Sequence, residues 1–242
     1  LASVEAGLTG IPSSRHEAAC AAGSVAILSA AAEIQAGRYE VAMVSGVEQM
    51  RHVSGQRAAD VIGMCAWHGR EAQDAHYTWP YLFSELIDFY RERHELKRSH
   101  LEEISRKNYE QARDNPNAQT RKWKLGPHAF EEHDGDNPHV EGNLRRYDCS
   151  QITDGGATAV VASKRYAEEW ARKQGVELDS IPRLLGFGHR TAPMLLQEKL
   201  QSAPTDYAFP ELRRTVQDAL RRSGLNDVWQ LDAVETHDCF NI

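Results

Sequence analysis

Apolar and polar positions near the start of the chain fall into three consecutive patterns. A short extended run over 13–19 predicts a strand. The Ala-rich segment 24–36 leaves almost no polar face, which predicts a helix that is buried on all sides. Gly37 ends this helix, and the apolar run 41–46 is typical of an interior strand. The pattern therefore places Cys20 between a strand and the start of a buried helix.

The segment 51–147 has a different pattern and is rich in charge, histidine, proline and tryptophan. Apolar residues recur at helical spacing after Pro80, which suits a first helical turn. Ser99 with Glu102 predicts a capping box at the start of a second helix, which Asn115 ends. The segment lacks an apolar strand run, so we predict a separate helical cap or loop domain.

Strand and helix patterns return after residue 147. We predict a tight backbone passage at 154–156, a strand at 158–162 and an amphipathic helix at 164–175. The remaining predicted elements are a short strand at 184–188, a helix from Pro210 to Gly224 and a strand at 231–236. This succession of strands and helices indicates an α/β fold.

Composition narrows the classes of function. The chain has 242 residues, enough for one large or two ordinary domains, and its formal net charge of −7 argues against a nucleic-acid partner. No apolar run approaches the roughly 20 residues of a membrane-spanning helix, so we expect no membrane partner. The four cysteines, Cys20, Cys65, Cys149 and Cys239, lie far apart. This spacing favours reduced thiols in the cytoplasm over a disulfide framework.

Cys20 is the candidate nucleophile, because backbone N–H groups and the helix dipole at its position favour a thiolate over a thiol. A solitary cysteine beside an apolar helix is usually a small core residue, so the neighbouring residues decide. Cys20, Gly23 and Ala26 are followed by Gly37 and by Ser-Gly-Val-Glu-Gln-Met at 45–50. This string resembles the nucleophile region of thiolases, which carry Cys-x-x-Gly-x-x-Ala, a buried helix and a strand ending in a Gly-Gly/Phe-Glu-x-Met signature.

A second stretch, 147–162, carries the same resemblance. It is similar to the thiolase segment in which a serine precedes Asn-Asp-Gly-Ala-Ala and contacts the pantetheine arm of coenzyme A. The resemblance implies that Ser150 makes this contact, with Thr153 in place of the usual Asn, as in thiolases of the sterol-carrier-protein x type. A serine and an aspartate that only fix a turn are the alternative, which accounts for Asp154 better than for Ser150.

The third stretch is His237-Asp-Cys-Phe. Most thiolases have Asn-Glu-Ala-Phe here, and the sterol-carrier-protein x-like and archaeal branches often have His-Asp-Cys-Phe. The resemblance implies that His237 donates a hydrogen bond in the oxyanion hole, commonly worth about 2.7–4 kcal/mol per donor. It also places Phe240 among the substrate-binding residues. Cys239 takes the alanine-like position, where we expect it to pack.

The resemblance implies a layered thiolase-type fold (αβαβα) with a helical loop-domain insertion. The expected divisions are 1–50 as the first part of the N-terminal half, 51–147 as the loop domain, 148–178 as the second part of that half, and 179–242 as the start of a truncated C-terminal half. The chain begins and ends in mid-pattern, so we expect a fragment lacking both ends. The Gly-His-Pro histidine and the Cys-x-Gly acid/base cysteine of the family would lie beyond Ile242.

The implied activity is acyl transfer through Cys20, in thiolytic cleavage or Claisen condensation of 3-ketoacyl-CoA. The implied partners are an acyl-CoA substrate, a homodimer or tetramer in which the strand at 13–19 lies at the interface, and in some cases a small accessory protein. Coenzyme A is a substrate here, and no bound cofactor is expected. Two alternatives stay open: a non-catalytic lipid-binding or scaffold subunit of thiolase fold, and a decarboxylating ketosynthase.

Two weaker features complete the set of candidates. Lys122 and its basic neighbours flank Trp123, and such cations suit an adenine and a phosphate, although a solvated charged face is the favoured interpretation. Cys65 and His68 are three residues apart but lack a second pair of ligands, so we predict no metal site.

Overall fold

The computed structural model describes residues 5–203 and 207–242. The helices in chain order are α1 (Ala22–Gln35), α2 (Gly55–Gly63), α3 (Thr78–His94), α4 (Arg98–Asp114), α5 (Lys164–Gln174), α6 (Leu196–Gln201) and α7 (Pro210–Ser223). The strands are β1 (Val41–Glu48), β2 (His139–Glu141), β3 (Leu144–Arg145) and β4 (Gly155–Ala162). This mixture confirms the α/β prediction. No helix of the described ranges is both long enough and apolar enough to cross a bilayer.

Two compact units make up the chain. The first contains the described residues of Leu1–Gln49 together with Asp154–Arg183, and the second contains those of Met50–Thr153 together with Leu184–Ile242. Cys20 belongs to the first unit, whereas Ser150 and His237 belong to the second.

The first unit is built on an antiparallel pair of strands. β1 and β4 pair without interruption from Val41 opposite Ala162 to Glu48 opposite Gly155, and α1 packs against both strands. The Ser163 hydroxyl caps α5 by accepting from the Tyr166 N–H, and the helix ends at Gly175 in a left-handed conformation. The predicted helices at 24–36 and 164–175 and the strands at 41–46 and 158–162 are confirmed.

Three predictions for this unit are wrong. No residue of α1 is buried, because the described sheet has two strands in this unit and covers one side of the helix only. Residues 13–18 are irregular and lead into a 3₁₀ turn, Ala19–Ala21, because no described strand pairs with them. Gly155 and Gly156 belong to β4, since β1 continues to Glu48 and supplies them with partners.

The second unit is centred on an apolar cluster that joins distant parts of the chain. Ile87 of α3, Leu101 of α4, Leu144 of β3 and Phe240 are all at most 7% exposed and pack together. α3 begins at Thr78 with Pro80 in its first turn, as predicted.

Near this cluster, local details depart from the sequence pattern. The capping box predicted from Ser99 and Glu102 is wrong: α4 begins after Lys97, whose N–H donates to His100 Nδ1 at 3.4 Å, and Glu102 lies 3.5 Å from Arg98. The hairpin of β2 and β3 was not predicted, because strands of three and two residues are too short to show a period of two.

The predicted strands at 184–188 and 231–236 are wrong. Both segments are irregular, and neither pairs with a strand among the described residues. Gly186 and Gly188 instead lie directly on the backbone of α7, near Ser223 and Thr215. The prediction of α7 itself is confirmed, from Pro210 to the left-handed Gly224 that follows it.

Candidate active site

Cys20 is exposed at the start of the helical part of the first unit. It is the central residue of the turn Ala19–Ala21, and α1 begins two residues later. Ala19 has a φ of 49°, a left-handed conformation that costs a residue with a side chain about 1–2 kcal/mol. The Glu17 carboxylate accepts a 2.7 Å hydrogen bond from the Ala19 N–H and helps hold this turn. Backbone strain directly before an exposed thiol is typical of functional positions.

The second unit brings two of the sequence motifs together. The Ser150 N–H donates a 3.0 Å hydrogen bond to the Cys239 carbonyl, and Cys149 forms an antiparallel bridge with Phe240. The Asn241 N–H closes the other side of this pairing with a 3.0 Å hydrogen bond to the Asp148 carbonyl. The backbone segments that carry Ser150 and His237 are therefore joined side by side.

Side chains in this pairing differ sharply in exposure. Ser150 and His237 are exposed. Phe240 is 7% exposed, and its ring stacks on that of Phe83 with 4.1 Å between centroids. Cys239 is partly buried against the same apolar cluster, as expected for a packing residue. The phenylalanine is therefore part of the buried cluster, whereas the serine and the histidine lie at the surface.

Beneath this pairing lies a polar network that no sequence pattern indicated. The Asp148 carboxylate accepts hydrogen bonds from the Arg98 guanidinium at 2.5 and 2.8 Å, from the Arg145 N–H at 2.7 Å and from Asn241 Nδ2 at 2.9 Å. Arg98 and Asn241 are 50 and 93 residues away from Asp148 in sequence. Local periodicity carries no signal over such separations.

Burial and charge change the protonation behaviour of this region. Burial raises the pKa of the Cys149 thiol to about 12, and the neighbouring charge of Asp148 adds to the rise. Burial alone would lower the pKa of Arg98, but its hydrogen bonds and charge interaction with Asp148 outweigh that effect and raise it. Arg98 therefore stays charged, and Cys149 stays a neutral thiol at neutral pH.

The remaining candidates lie at the surface. Lys122 and Trp123 are exposed in an irregular segment, and Arg121 Nε donates to the Arg113 carbonyl at 3.0 Å. The role of Lys122 stays a prediction. Within the described ranges, no group of three or more histidine, cysteine or carboxylate side chains is placed to hold a metal ion.

Comparison with known proteins identifies the family. A family model described as the thiolase N-terminal domain matches residues 1–165, which is more than half of the chain. The chain belongs to the thiolase family.

Individual relatives extend the likeness beyond residue 165. The acetyl-CoA acetyltransferase of Methanothermobacter thermautotrophicus is 28% identical over 237 residues, covering 98% of this chain and 57% of that protein. The acetyl-CoA acetyltransferase of Methanocaldococcus jannaschii is 32% identical over 173 residues, covering 71% and 42%. Sterol carrier protein 2 of Homo sapiens is 25% identical over 253 aligned positions, covering 97% and 42%. The chain thus spans about half the length of the curated relatives it matches.

Proposed function

We propose that this chain supplies the nucleophile and the oxyanion donor of a thiolase-type acyltransferase that acts on acyl-CoA thioesters. Membership of the thiolase family supports this proposal, as does similarity to two acetyl-CoA acetyltransferases. Cys20 is the proposed nucleophile, and its exposure on a strained turn before α1 suits attack on a substrate.

The proposed chemistry is acyl transfer through a thioester formed on Cys20. The Cys20 sulfur bonds to the acyl carbon of the substrate, and the carbonyl oxygen becomes an oxyanion that the His237 imidazole stabilises by donating a hydrogen bond. In the condensation direction, the bond between the acyl carbon and the coenzyme A sulfur then breaks, and the leaving thiolate takes up a proton. In the cleavage of a 3-ketoacyl-CoA, the bond between the β-keto carbon and the α carbon breaks instead, and the leaving acyl-CoA carbanion takes up a proton. In both directions the Cys20 proton passes to a base. The acyl group afterwards moves to coenzyme A or to an acyl-CoA carbanion.

One observation carries this proposal further than the sequence could. The 3.0 Å hydrogen bond from the Ser150 N–H to the Cys239 carbonyl joins the proposed pantetheine contact to the segment of the proposed oxyanion donor. A thioester whose pantetheine arm passes Ser150 would present its carbonyl near His237. Phe240 would support both positions from beneath, because it is buried under the paired backbones.

The wider proposal covers partners and location. We expect a homodimer or tetramer in the cytoplasm, with acyl-CoA as the substrate and Lys122 near its phosphates. The exposed apolar side chains Met43 and Val47 of β1 are compatible with burial against another part of the assembled protein.

Mass spectrometry tests the proposed nucleophile directly. The natural protein that carries this chain is incubated with acetyl-CoA in the absence of added coenzyme A, quenched in acid and digested. We expect one acetyl group on the Cys20 peptide, removable by hydroxylamine as a thioester is. Cys65→Ala is the matched control, because Cys65 is also exposed and its loss should leave acetylation unchanged.

The alternatives give different results in the same assay. A non-catalytic scaffold or lipid-binding subunit would show no acetyl group on any cysteine, which would refute the proposal. A decarboxylating ketosynthase would be acylated at Cys20 but would also release carbon dioxide from a malonyl thioester. Acetylation that persists in Cys20→Ala would assign the nucleophile to another residue.

A further inference from the structure

The Asp148 carboxylate is a buried charge that lies where α4, the segment of Ser150 and the terminal segment are in contact. Its side chain is 1% exposed, and it lies two residues before Ser150. Both of its oxygens are saturated: Oδ2 accepts from Arg98 and from the Arg145 N–H, and Oδ1 accepts from Arg98 and Asn241. A buried carboxylate is costly unless it is paired and hydrogen-bonded in this way.

Asn241 carries the effect of this carboxylate to the segment of His237. It is 8% exposed and lies four residues after the histidine. Its Nδ2 is 2.9 Å from each of three oxygens, namely Asp148 Oδ1, the Leu101 carbonyl and Ser105 Oγ. The terminal segment is therefore tied both to α4 and to Asp148.

A contribution to stability alone would not explain such a network. A buried ion pair is often no more stabilising than apolar residues of similar size, because desolvation offsets the attraction between the charges. Its distinctive property is geometry, since a two-pronged bond between guanidinium and carboxylate fixes both orientation and distance. Here that fixed geometry lies directly under the two backbone segments that carry Ser150 and His237.

We propose that Asp148, held by Arg98, is a positioning residue that sets the relative placement of Ser150 and His237 through Asn241. This inference rests on the proposed acyl transfer. Displacement of a reacting or stabilising group by about 1 Å can cost about 10²-fold in rate. Asp148→Asn keeps the shape of the side chain but weakens its bonds, so both placements should loosen.

The chain offers a matched control in the same unit. The Asp218 side chain of α7 is 9% exposed and is held by the guanidinium groups of Arg190 and Arg221, each at 2.7 Å. It makes no described contact with the segments of Ser150 and His237. Asp218→Asn removes the same charge from another arginine-bound carboxylate, so it separates general destabilisation from positioning.

Steady-state kinetics with acetoacetyl-CoA and coenzyme A, measured well below each melting temperature, test the proposal in the natural protein. We expect Asp148→Asn to lower kcat about 10²-fold and to raise KM for coenzyme A, since both segments move. Asp218→Asn should lower the melting temperature and leave kcat and KM unchanged. If Asp148→Asn does not fold, Asn241→Ala takes its place. This variant keeps the Arg98–Asp148 pair and should fold, and it should also lower kcat because the link from Asp148 to the terminal segment is lost.

Amide hydrogen exchange tests the positioning role without relying on enzyme activity, because it measures how firmly the two backbone segments are held. Asp148→Asn should speed exchange at the Ser150 and Asn241 N–H groups, and Asp218→Asn should not. Unchanged exchange and unchanged kcat in a folded Asp148 variant would overturn the positioning role. Faster exchange in a protein whose wild type never acetylates Cys20 would instead refute the proposed function and leave the structural link standing.

Discussion

Replacing Phe240 by alanine tests whether this residue is an anchor or a substrate contact. The ring is 7% exposed, stacks on Phe83 at 4.1 Å and packs with Ile87, Leu101 and Leu144. Truncation of such a phenylalanine costs about 3–5 kcal/mol, and about 0.5–1.5 kcal/mol of that belongs to the ring pair. We therefore expect Phe240→Ala to lower the free energy of unfolding by about 4 kcal/mol, a large share of the roughly 5–15 kcal/mol typical of a domain.

Urea denaturation followed by tryptophan fluorescence measures this change, with the midpoint and slope fitted together. Val234→Ala is the control, because Val234 lies in the same terminal segment but is 69% exposed, and it should change stability by less than about 0.5 kcal/mol. A loss below about 1 kcal/mol for Phe240→Ala, together with a several-fold rise in KM, would refute the anchor and support the substrate contact predicted from the resemblance.

Two further predictions concern thiol chemistry and backbone packing. Cys149 should resist iodoacetamide at pH 8 while Cys65 reacts, and rapid labelling of native Cys149 in mass-spectrometric mapping would contradict its burial. The free energy of unfolding should fall as the pH rises from about 8.5 toward about 12, because the unfolded chain ionises this thiol while the folded state holds it neutral. Gly188→Ala should destabilise the protein by about 1–3 kcal/mol, since its Cβ would meet the Thr215 backbone of α7. Gly55→Ala is the control, because its Cβ would have open space and the change should be neutral or slightly stabilising in thermal melts. Equal melting temperatures for the two variants would rule out the close approach of Gly188 to α7.

Sequence patterns predicted elements whose determinants are local. Pro210 and Gly224 mark the two ends of α7, and the apolar run after Gly37 became β1, because each signal lies within a few residues of its effect. The same holds for the family motif at Cys20, whose short spacing encodes a turn followed by a helix.

Elements that depend on partners elsewhere were harder to predict. The segments 184–188 and 231–236 have strand-like composition, yet a strand requires a hydrogen-bonded neighbour, and none of the described strands supplies one. The burial of α1 was overestimated for a similar reason: an apolar sequence shows that a helix can be buried, but it does not show which other elements pack against it.

In the candidate site, too, local motifs could be read from the sequence, whereas contacts between distant residues could not. Ser150, His237 and Cys20 were chosen from motifs, but the pairing of Ser150 with Cys239 and the contacts of Asp148 join residues far apart in sequence. A single sequence cannot indicate which buried carboxylate meets which arginine, because many arrangements of charge share one composition.

The long sequence separations in the Asp148 network also set an order of assembly. During synthesis the chain emerges from its N-terminal end, so Arg98 and Asp148, 50 residues apart, are available to each other well before Asn241 has been made. The ion pair can then form on a nascent chain with one acceptor position on Oδ1 still open. Asn241, 93 residues after Asp148, can fill that position only after the terminal segment has been made, and the same holds for the bond from the Ser150 N–H to the Cys239 carbonyl.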